Sequence, residues 1–255
     1  MHAPRDLPVT AADILGRIRA RRPRVHCITN SVAQNFTANM LLAAGAVPSM
    51  TTDPAEIREF VASADALLVN LGTLDARRQA AITAALEEAD GRIPWVLDPV
   101  FVDRALSRAT FALGLAARRP NVMRLNEAEF SALAEERPAP ATLERYARDR
   151  STVVGLTGDT DIVTDGARTV SIRNGDRMMA KVTAMGCAAS ALVGACLAVE
   201  PDAWCAAAAG LLLIGIAGER AATRAYGPGT LAVGILDTLH GLDQRIIVDR
   251  ARLRA

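Results

Sequence analysis

An α/β fold in one domain over residues 1–255, with a mostly parallel central sheet and helices on both faces, is predicted by three observations. Up to Leu156, short apolar runs alternate with longer amphipathic ones, which is typical of a parallel sheet covered by helices. The chain is 51% hydrophobic and 22% charged, so it can bury a sizeable core. Its 255 residues fit a single domain of this class.

The alternating runs predict a series of strands separated by helices. The predicted strands are Arg24–Ile28, Ala46–Met50, Ala66–Asn70, Trp95–Leu97, Val122–Arg124 and Thr152–Leu156. The predicted helices are Ser31–Ala44, Pro54–Ser63, Ala76–Ala89, Leu106–Ala117 and Glu127–Glu135. Two of these helices have plausible N-caps, Asp53 before Pro54 and Asn126 before Glu127.

A short β-hairpin and a helical segment are predicted for the rest of the chain. Asp161–Thr164 and Arg168–Arg173 flank Asp165-Gly166, a strong hairpin turn signal. The helices predicted after it are Gly186–Val199, Trp204–Arg224 and Gly229–Leu239. The most hydrophobic run, Ala203–Gly218, is shorter than the ~20 residues that a membrane span needs, so we expect a buried core helix.

Charge and cysteine content exclude several classes of protein. The net charge is +1 with acids and bases mixed along the chain, so we expect neither nucleic acid nor an acidic membrane surface as a partner. The four cysteines form no CxxC pair, which argues against a zinc site or a disulfide framework and favours a reducing, cytoplasmic compartment. The sequence contains no GxxxxGK[ST] loop, which excludes a P-loop nucleotide site. No GxGxxG follows the first predicted strand, which disfavours a dinucleotide-binding fold.

The segment Val182–Cys187 is a small-residue turn that runs into a predicted helix. Such a turn can bind an anion such as a phosphate, because it offers free backbone N–H groups and the positive end of the helix dipole. Cys187 falls in the first turn, where we expect the same dipole to stabilise its thiolate. The alternative is that Cys187 is a small buried hydrophobe, as free cysteines often are. An anion site beside an activatable side chain is what a phosphoryl-transfer enzyme needs.

Polar residues follow the predicted parallel strands at their carboxyl ends, where open sheets of this kind bind ligands. They include Thr29, Asn30, Asn70, Thr73, Asp98 and Thr157. Asp98 directly follows a strand and precedes the rigid Pro99. Together with Glu129 it makes an oxygen-donor site for Mg²⁺. The alternative is a capping box, in which Asn126 is the N-cap and Glu129 bonds back to it.

Motifs spread from Val25 to Leu239 carry a resemblance to a known family. They are Val25–Asn30, Gln34–Asn39, Ala64–Leu74, Leu97–Val100, Asn126–Glu129, Val153–Gly158, Val182–Cys187 and Gly227–Gly229. Together they resemble the hydroxyethylthiazole kinases of the ribokinase-like superfamily, which implies a ribokinase-like fold.

The resemblance implies transfer of the γ-phosphoryl group of ATP to the hydroxyl of 4-methyl-5-(2-hydroxyethyl)thiazole, with Mg²⁺, in thiamine salvage. The site residues that it implies are Met50 and Ala184 for the thiazole, Arg124 and Thr157 for ATP, Asp98 and Glu129 for the metal, and Cys187 as catalytic base. It further implies a homotrimer with active sites near subunit boundaries.

Some positions depart from the family pattern. The family usually has Gly-x-Gly-Cys where this chain has Ala184-Met185-Gly186-Cys187, and the methyl group of Ala184 restricts a positive φ. Phe101 stands where glycine is common. Two alternatives follow: a related kinase for another small alcohol, such as a hydroxymethylpyrimidine, or a protein that binds thiazole or nucleotide without transferring phosphate.

Overall fold

In the computed structural model, which describes residues 6–254, the strands form one nine-stranded sheet. The strands are β1 (Arg24–Ile28), β2 (Val47–Ser49), β3 (Ala66–Asn70), β4 (Trp95–Asp98), β5 (Val122–Asn126), β6 (Val153–Thr157), β7 (Asp161–Thr164), β8 (Thr169–Ile172) and β9 (Leu253–Arg254). Their order across the sheet is β2-β1-β3-β4-β5-β6-β7-β8-β9. Strands β1 to β6 pair in parallel, and β7 to β9 continue the sheet antiparallel. The predicted mostly parallel sheet and its hairpin are confirmed.

Helices cover both faces of this sheet. They are α1 (Leu7–Arg21), α2 (Gln34–Ala44), α3 (Ile57–Ala62), α4 (Ala76–Ala89), α5 (Leu106–Ala116), α6 (Glu127–Ala134), α7 (Pro140–Arg150), α8 (Met185–Leu197), α9 (Ala203–Ala222), α10 (Pro228–His240) and α11 (Gln244–Arg250). One buried cluster lies between the sheet and helices α1, α2 and α8 to α11, and the other lies between the sheet and α3 to α7. Alternate residues of a strand face opposite clusters, so Leu68 lies in the first while Leu67 and Val69 lie in the second.

Several elements differ from the sequence prediction. Helices α1, α7 and α11 and strand β9 were not predicted. The predicted start of a helix at Pro54 is wrong, because α3 begins at Ile57. The carboxylate of Asp53 accepts the N–H of Ala55 at 3.0 Å and closes a turn ahead of the helix. The predicted helix from Ser31 likewise begins later, at Gln34.

Helix α9 is long and apolar enough to cross a membrane by length and composition alone. However, 83% of its apolar window is buried inside the protein, against α1, α8 and α10. It therefore packs as the core helix that we expected.

Helix α8 extends from the core to the edge of the sheet at which the parallel strands end. It packs on β1, β3 and β4, and its amino end lies where the carboxyl ends of these strands meet. This placement positions the candidate site.

Candidate active site

The first turns of α8 contact the carboxyl ends of three strands. Ser190 Oγ donates a hydrogen bond to Asp98 Oδ2 at 2.8 Å. Cys187 Sγ accepts one from Asn30 Nδ2 at 3.5 Å. The sulfur and the buried carboxylate thus lie at the same edge of the sheet.

Two amide side chains, of Asn30 and Asn70, link Cys187 to Asp98. Asn30 Nδ2 donates to Asn70 Oδ1 at 3.4 Å, and Asn70 Nδ2 donates to Asp98 Oδ2 at 2.9 Å. Backbone bonds fix both amides, because Asn30 Oδ1 accepts the N–H of Ala33 and Asn70 Oδ1 accepts the N–H of Gly72. The side chain of Asn30 passes so close to residue 72 that only glycine fits there, since a Cβ on Gly72 would lie 2.6 Å from Asn30 Nδ2.

Sequence reasoning missed part of this arrangement. Asn30 and Asn70 were noted as polar strand ends, but nothing in their spacing links them to Cys187. Ser190 was not singled out, although it lies three residues after Cys187 on the same helix and therefore faces nearly the same direction.

Burial outweighs the stabilisation of the Cys187 thiolate that we expected from the helix dipole. Burial raises the pKa of the Cys187 thiol to about 11, and the negative charge of Asp98 raises it further. Hydrogen bonds from Asn70 and Asn30 and the charge of Arg124 oppose this shift without reversing it. A helix N-terminus contributes only about 1 kcal/mol, so it does not overcome the desolvation of the thiolate. Cys187 is therefore mostly a thiol at neutral pH.

Asp98 is fully buried and only partly hydrogen-bonded. Its Oδ2 accepts bonds from Asn70 and Ser190, whereas its Oδ1 has no partner among residues 6–254. Burial raises the pKa of this carboxyl, against the opposing effects of Arg124, Ser190 and Asn70. Because buried carboxylate oxygens are normally satisfied, Oδ1 is suited to meet a cation or its bound water.

Glu129 forms the capping box that the sequence left open as an alternative. Its Oε2 accepts the N–H of Asn126 at 2.9 Å, while Asn126 Oδ1 accepts the N–H of Glu129 at 2.9 Å. Its Oε1 accepts the N–H of Phe101 at 3.2 Å. Burial raises the pKa of Glu129, and the nearby charge of Asp98 adds to the shift.

Asp98 and Glu129 fit a magnesium ion that also binds water and phosphate. They do not fit a metal whose ligands all come from the protein. In the described part of the chain, no group of three or more His, Cys, Asp or Glu residues is arranged to hold a metal. Two carboxylates are nevertheless a set that Mg²⁺ accepts when waters and substrate phosphates complete its coordination. A divalent cation would also relieve the repulsion between these two buried groups.

Arg124 and Thr157, which were expected to act together, are hydrogen-bonded to each other. Arg124 Nη2 donates to Thr157 Oγ1 at 2.7 Å. A Cβ on Gly186 would lie 2.6 Å from Arg124 Nη1, so the guanidinium lies directly against the first turn of α8. Arg124 Nε has no acceptor among the described residues. A fixed positive charge beside free helix N–H groups is suited to binding an anion.

The two remaining predicted residues, Ala184 and Met50, lie directly before a helix and directly after a strand. Ala184 is the N-cap of α8 and has φ +67° and ψ 9°, the left-handed conformation that its methyl group disfavours. The residue adopts this conformation nonetheless. Met50 directly follows β2, is half-buried, and packs against the core cluster that contains α8.

A cavity of about 550 Å³ lies at the opposite edge of the sheet. Its lining includes Trp95 at the start of β4, Arg118 just after α5 and Ala198 just after α8. Its lining also includes Arg21, Arg92 and Arg119, so positive charge alone does not distinguish it from the carboxyl edge, but none of the predicted site residues lies there. The carboxyl edge of the sheet therefore remains the candidate site.

Comparison with known proteins agrees with this geometry. The profile of the Hydroxyethylthiazole kinase family matches residues 15–245. The probable hydroxyethylthiazole kinase of Agrobacterium fabrum (strain C58 / ATCC 33970) is 44% identical over 252 residues, which cover 97% of each protein. The hydroxyethylthiazole kinase of Granulibacter bethesdensis is 45% identical over 253 residues, covering 94% of this chain and 92% of that protein. The solved structure of a hydroxyethylthiazole kinase protein from Pyrococcus horikoshii OT3 has a TM-score of 0.91 and 37% identity, covering 96% of this chain and 98% of that one.

Proposed function

Because the chain belongs to the hydroxyethylthiazole kinase family, we propose that it transfers the γ-phosphoryl group of ATP to the hydroxyl of 4-methyl-5-(2-hydroxyethyl)thiazole. The product is 4-methyl-5-(2-phosphoethyl)thiazole, and the reaction serves thiamine biosynthesis or salvage. The observation that carries the proposal is the amino end of α8, which lies against Arg124, Asp98 and the amides of Asn30 and Asn70.

The phosphates of ATP bind between Arg124 and the first turn of α8 in this proposal. Phosphoryl transfer depends mainly on positioning and on neutralising charge. Arg124 supplies a fixed positive charge, and its bond to Thr157 orients the guanidinium. The N–H groups of Gly186 and Cys187 belong to the first turn of α8, so they have no acceptor within the helix and are available to phosphate oxygens.

Asp98 and Glu129 hold Mg²⁺ in this proposal. When bound, the ion neutralises charge on the transferring phosphoryl group. Asp98 Oδ1 is suited to face the ion or one of its waters, because it has no partner among the described residues. Glu129 is held by the N–H groups of Asn126 and Phe101, so it acts through lone pairs that these bonds leave free.

Cys187 receives the proton of the substrate hydroxyl in this proposal. In a loose transition state the proton leaves late, so a small population of thiolate is sufficient. The amides of Asn70 and Asn30 hydrogen-bond to the sulfur and favour its charged form. Met50 and Ala184 line the thiazole pocket, and an apolar side chain such as Met50 suits a methylthiazole ring.

The chain acts as a cytoplasmic homotrimer in this proposal, with active sites near subunit boundaries. Exposed apolar side chains include Val47 on the edge strand β2, which directly precedes Met50, and Leu42 on α2, which packs against β2. Such a patch is suited to an interface. Light scattering is expected to give three times the chain mass of 26.9 kDa.

The test is ADP release by the purified protein with ATP, Mg²⁺ and a panel of small alcohols. We expect turnover of the thiazole alcohol above the background without an acceptor. Turnover of a hydroxymethylpyrimidine or a sugar in its place would identify a related small-alcohol kinase. Calorimetric binding of the thiazole without ADP release would identify a binding protein and contradict the proposal.

A further inference from the structure

His26 makes two hydrogen bonds that lie on either side of Met50. The side chain is fully buried in β1, and its residue pairs in register with Ser49 of β2. His26 Nδ1 lies 2.7 Å from Ser49 Oγ, and His26 Nε2 lies 3.1 Å from the carbonyl oxygen of Thr51. One imidazole ring therefore holds the residue before Met50 and the residue after it.

The partners determine which nitrogen carries the proton. The Thr51 carbonyl can only accept, so Nε2–H donates to it, and Nδ1 accepts the hydroxyl proton of Ser49. Burial lowers the pKa of His26 to about 4, against the opposing effects of the Thr51 carbonyl and the charge of Glu56. The neutral imidazole is therefore the form present at neutral pH.

The segment that carries Met50 has little other support from regular structure. Strand β2 is a three-residue strand at the edge of the sheet, and its pairing with β1 ends at Ser49. The chain forms no helix or strand from Met50 until α3 begins at Ile57. Thr51 Oγ1 bonds to Glu56, and the ring of Phe60 lies 5.7 Å from the His26 ring. The segment is thus tied to α3 through Thr51, while the side chain of Met50 packs against the core cluster that contains α8.

We propose that His26 is a positioning residue for substrate recognition: it holds Met50 in place against the heterocyclic ring of the acceptor alcohol. This inference rests on the proposed function, in which Met50 lines the thiazole pocket. We expect His26 to affect the binding of a small methylated aromatic heterocycle. We expect it to affect neither the binding of ATP nor the transfer step. His26 does not touch the substrate and acts through the backbone on both sides of Met50.

The test compares KM values for the two substrates in variants of this contact. His26→Phe keeps a ring but removes both hydrogen bonds, and we expect it to raise KM for the thiazole alcohol about tenfold. Ser49→Ala removes one bond from a half-buried position and should raise the same KM about threefold. In both variants kcat and KM for ATP stay within about twofold of wild type, since no catalytic group is moved. Thr83→Ala, which removes an exposed hydroxyl on α4, is the matched control.

Two further measurements test the hydrogen bonds of His26 directly. Ser49→Ala in the His26→Phe background should have no added effect, because its partner nitrogen is already gone. Nitrogen NMR of labelled histidine should show a neutral ring protonated at Nε2 at neutral pH. An unchanged KM for the thiazole alcohol in Ser49→Ala and in a folded His26→Phe overturns the proposal, as does a protonated ring.

Calorimetry separates this inference from the proposed function. If wild type binds the thiazole alcohol but does not phosphorylate it, the kinase assignment fails while the weaker binding expected of the His26 variants can still be measured. If wild type turns the alcohol over and the variants bind it equally well, the assignment stands and the role of His26 fails. A wild type that neither binds nor phosphorylates it overturns both.

Discussion

At the residue scale, the site is governed by burial. Cys187 and Asp98 both have pKa values raised first by desolvation, and the charge of Asp98 raises the pKa of Cys187 further. Arg124 opposes both shifts from beneath the first turn of α8. The resting site therefore holds a thiol next to a carboxylate that lacks one partner. The binding of ATP and a cation would change the charge that surrounds both groups.

The raised pKa of Cys187 predicts the pH dependence of turnover. If the thiolate is the base, its fraction rises with pH toward a pKa of about 11, so kcat of wild type should increase from about pH 7 to 10. Cys187→Asp retains activity and loses this increase, because a carboxylate is already ionised. Cys187→Ala lowers kcat about a hundredfold with a smaller effect on KM. Steady-state kinetics across pH decide this, and unchanged turnover in the alanine variant would refute the base role.

The carboxylates predict different responses to magnesium. Asp98→Asn should raise the Mg²⁺ concentration for half-maximal activity about tenfold or more, because it removes the charge on the oxygen that lacks a partner. Glu129→Gln should give a smaller shift together with lower thermal stability, because it also weakens the capping box. Magnesium titrations and melting curves measure both effects. Identical titrations in wild type and both variants would remove the pair from the metal site.

At the element scale, short segments carry the functional residues while helices and strands hold them. Ala184 begins α8 in a left-handed conformation, and Phe101 follows β4 with φ +59°. Both are positions where the family resemblance leads one to expect glycine. The chain thus adopts the left-handed conformation at both positions without glycine, and it accepts some strain at two turns of the site.

The strain at Ala184 predicts an unusual glycine substitution. A glycine inside an exposed helix, as in Ala80→Gly of α4, should lower the free energy of unfolding by about 1 kcal/mol. Ala184→Gly should leave it unchanged or raise it by up to about 1 kcal/mol, because relief of the left-handed strain offsets the added freedom of the unfolded chain. Chemical denaturation measures both. Equal losses in the two variants would show that the turn at Ala184 is unstrained.

The burial of His26 at the contact between β1 and β2 predicts that the free energy of unfolding depends on pH. His26 favours its neutral form in the folded chain, since burial lowers its pKa from 6.5 to about 4. The unfolded chain therefore binds more protons between these values, and stability falls as pH falls through that window. The loss amounts to at most about 3 kcal/mol at the acid end. His26→Phe should lose stability less steeply over that window, and parallel curves for the two proteins would contradict this.

At the scale of the whole molecule, the sequence was informative where apolar patterning was strong. Strands such as Ala66–Asn70 and helices such as Ala76–Ala89 occur with the predicted bounds, because each has a continuous or periodic apolar face. Helix α7 escaped prediction because it is mostly polar and begins at a proline. Strand β9 has two residues and exists only through its pairing with β8.

The site was less predictable than the fold. The polar strand ends and the turn before Cys187 can be recognised along the chain, and so can the residues that the family resemblance supplies. The hydrogen bonds from Cys187 through Asn30 and Asn70 to Asp98 join three strands and a helix, so no local spacing encodes them. The net direction of the Cys187 pKa shift could not be predicted for the same reason, since the burial that raises it depends on tertiary packing.

The most direct test of the proposed active site is a crystal structure of the protein with a non-hydrolysable ATP analogue, Mg²⁺ and the thiazole alcohol. We expect the terminal phosphate at the N–H groups of Gly186 and Cys187, the ion next to Asp98, and the substrate hydroxyl within hydrogen-bonding reach of Cys187 Sγ. A nucleotide bound in the cavity beside Trp95, or a hydroxyl remote from that sulfur, would contradict this expectation.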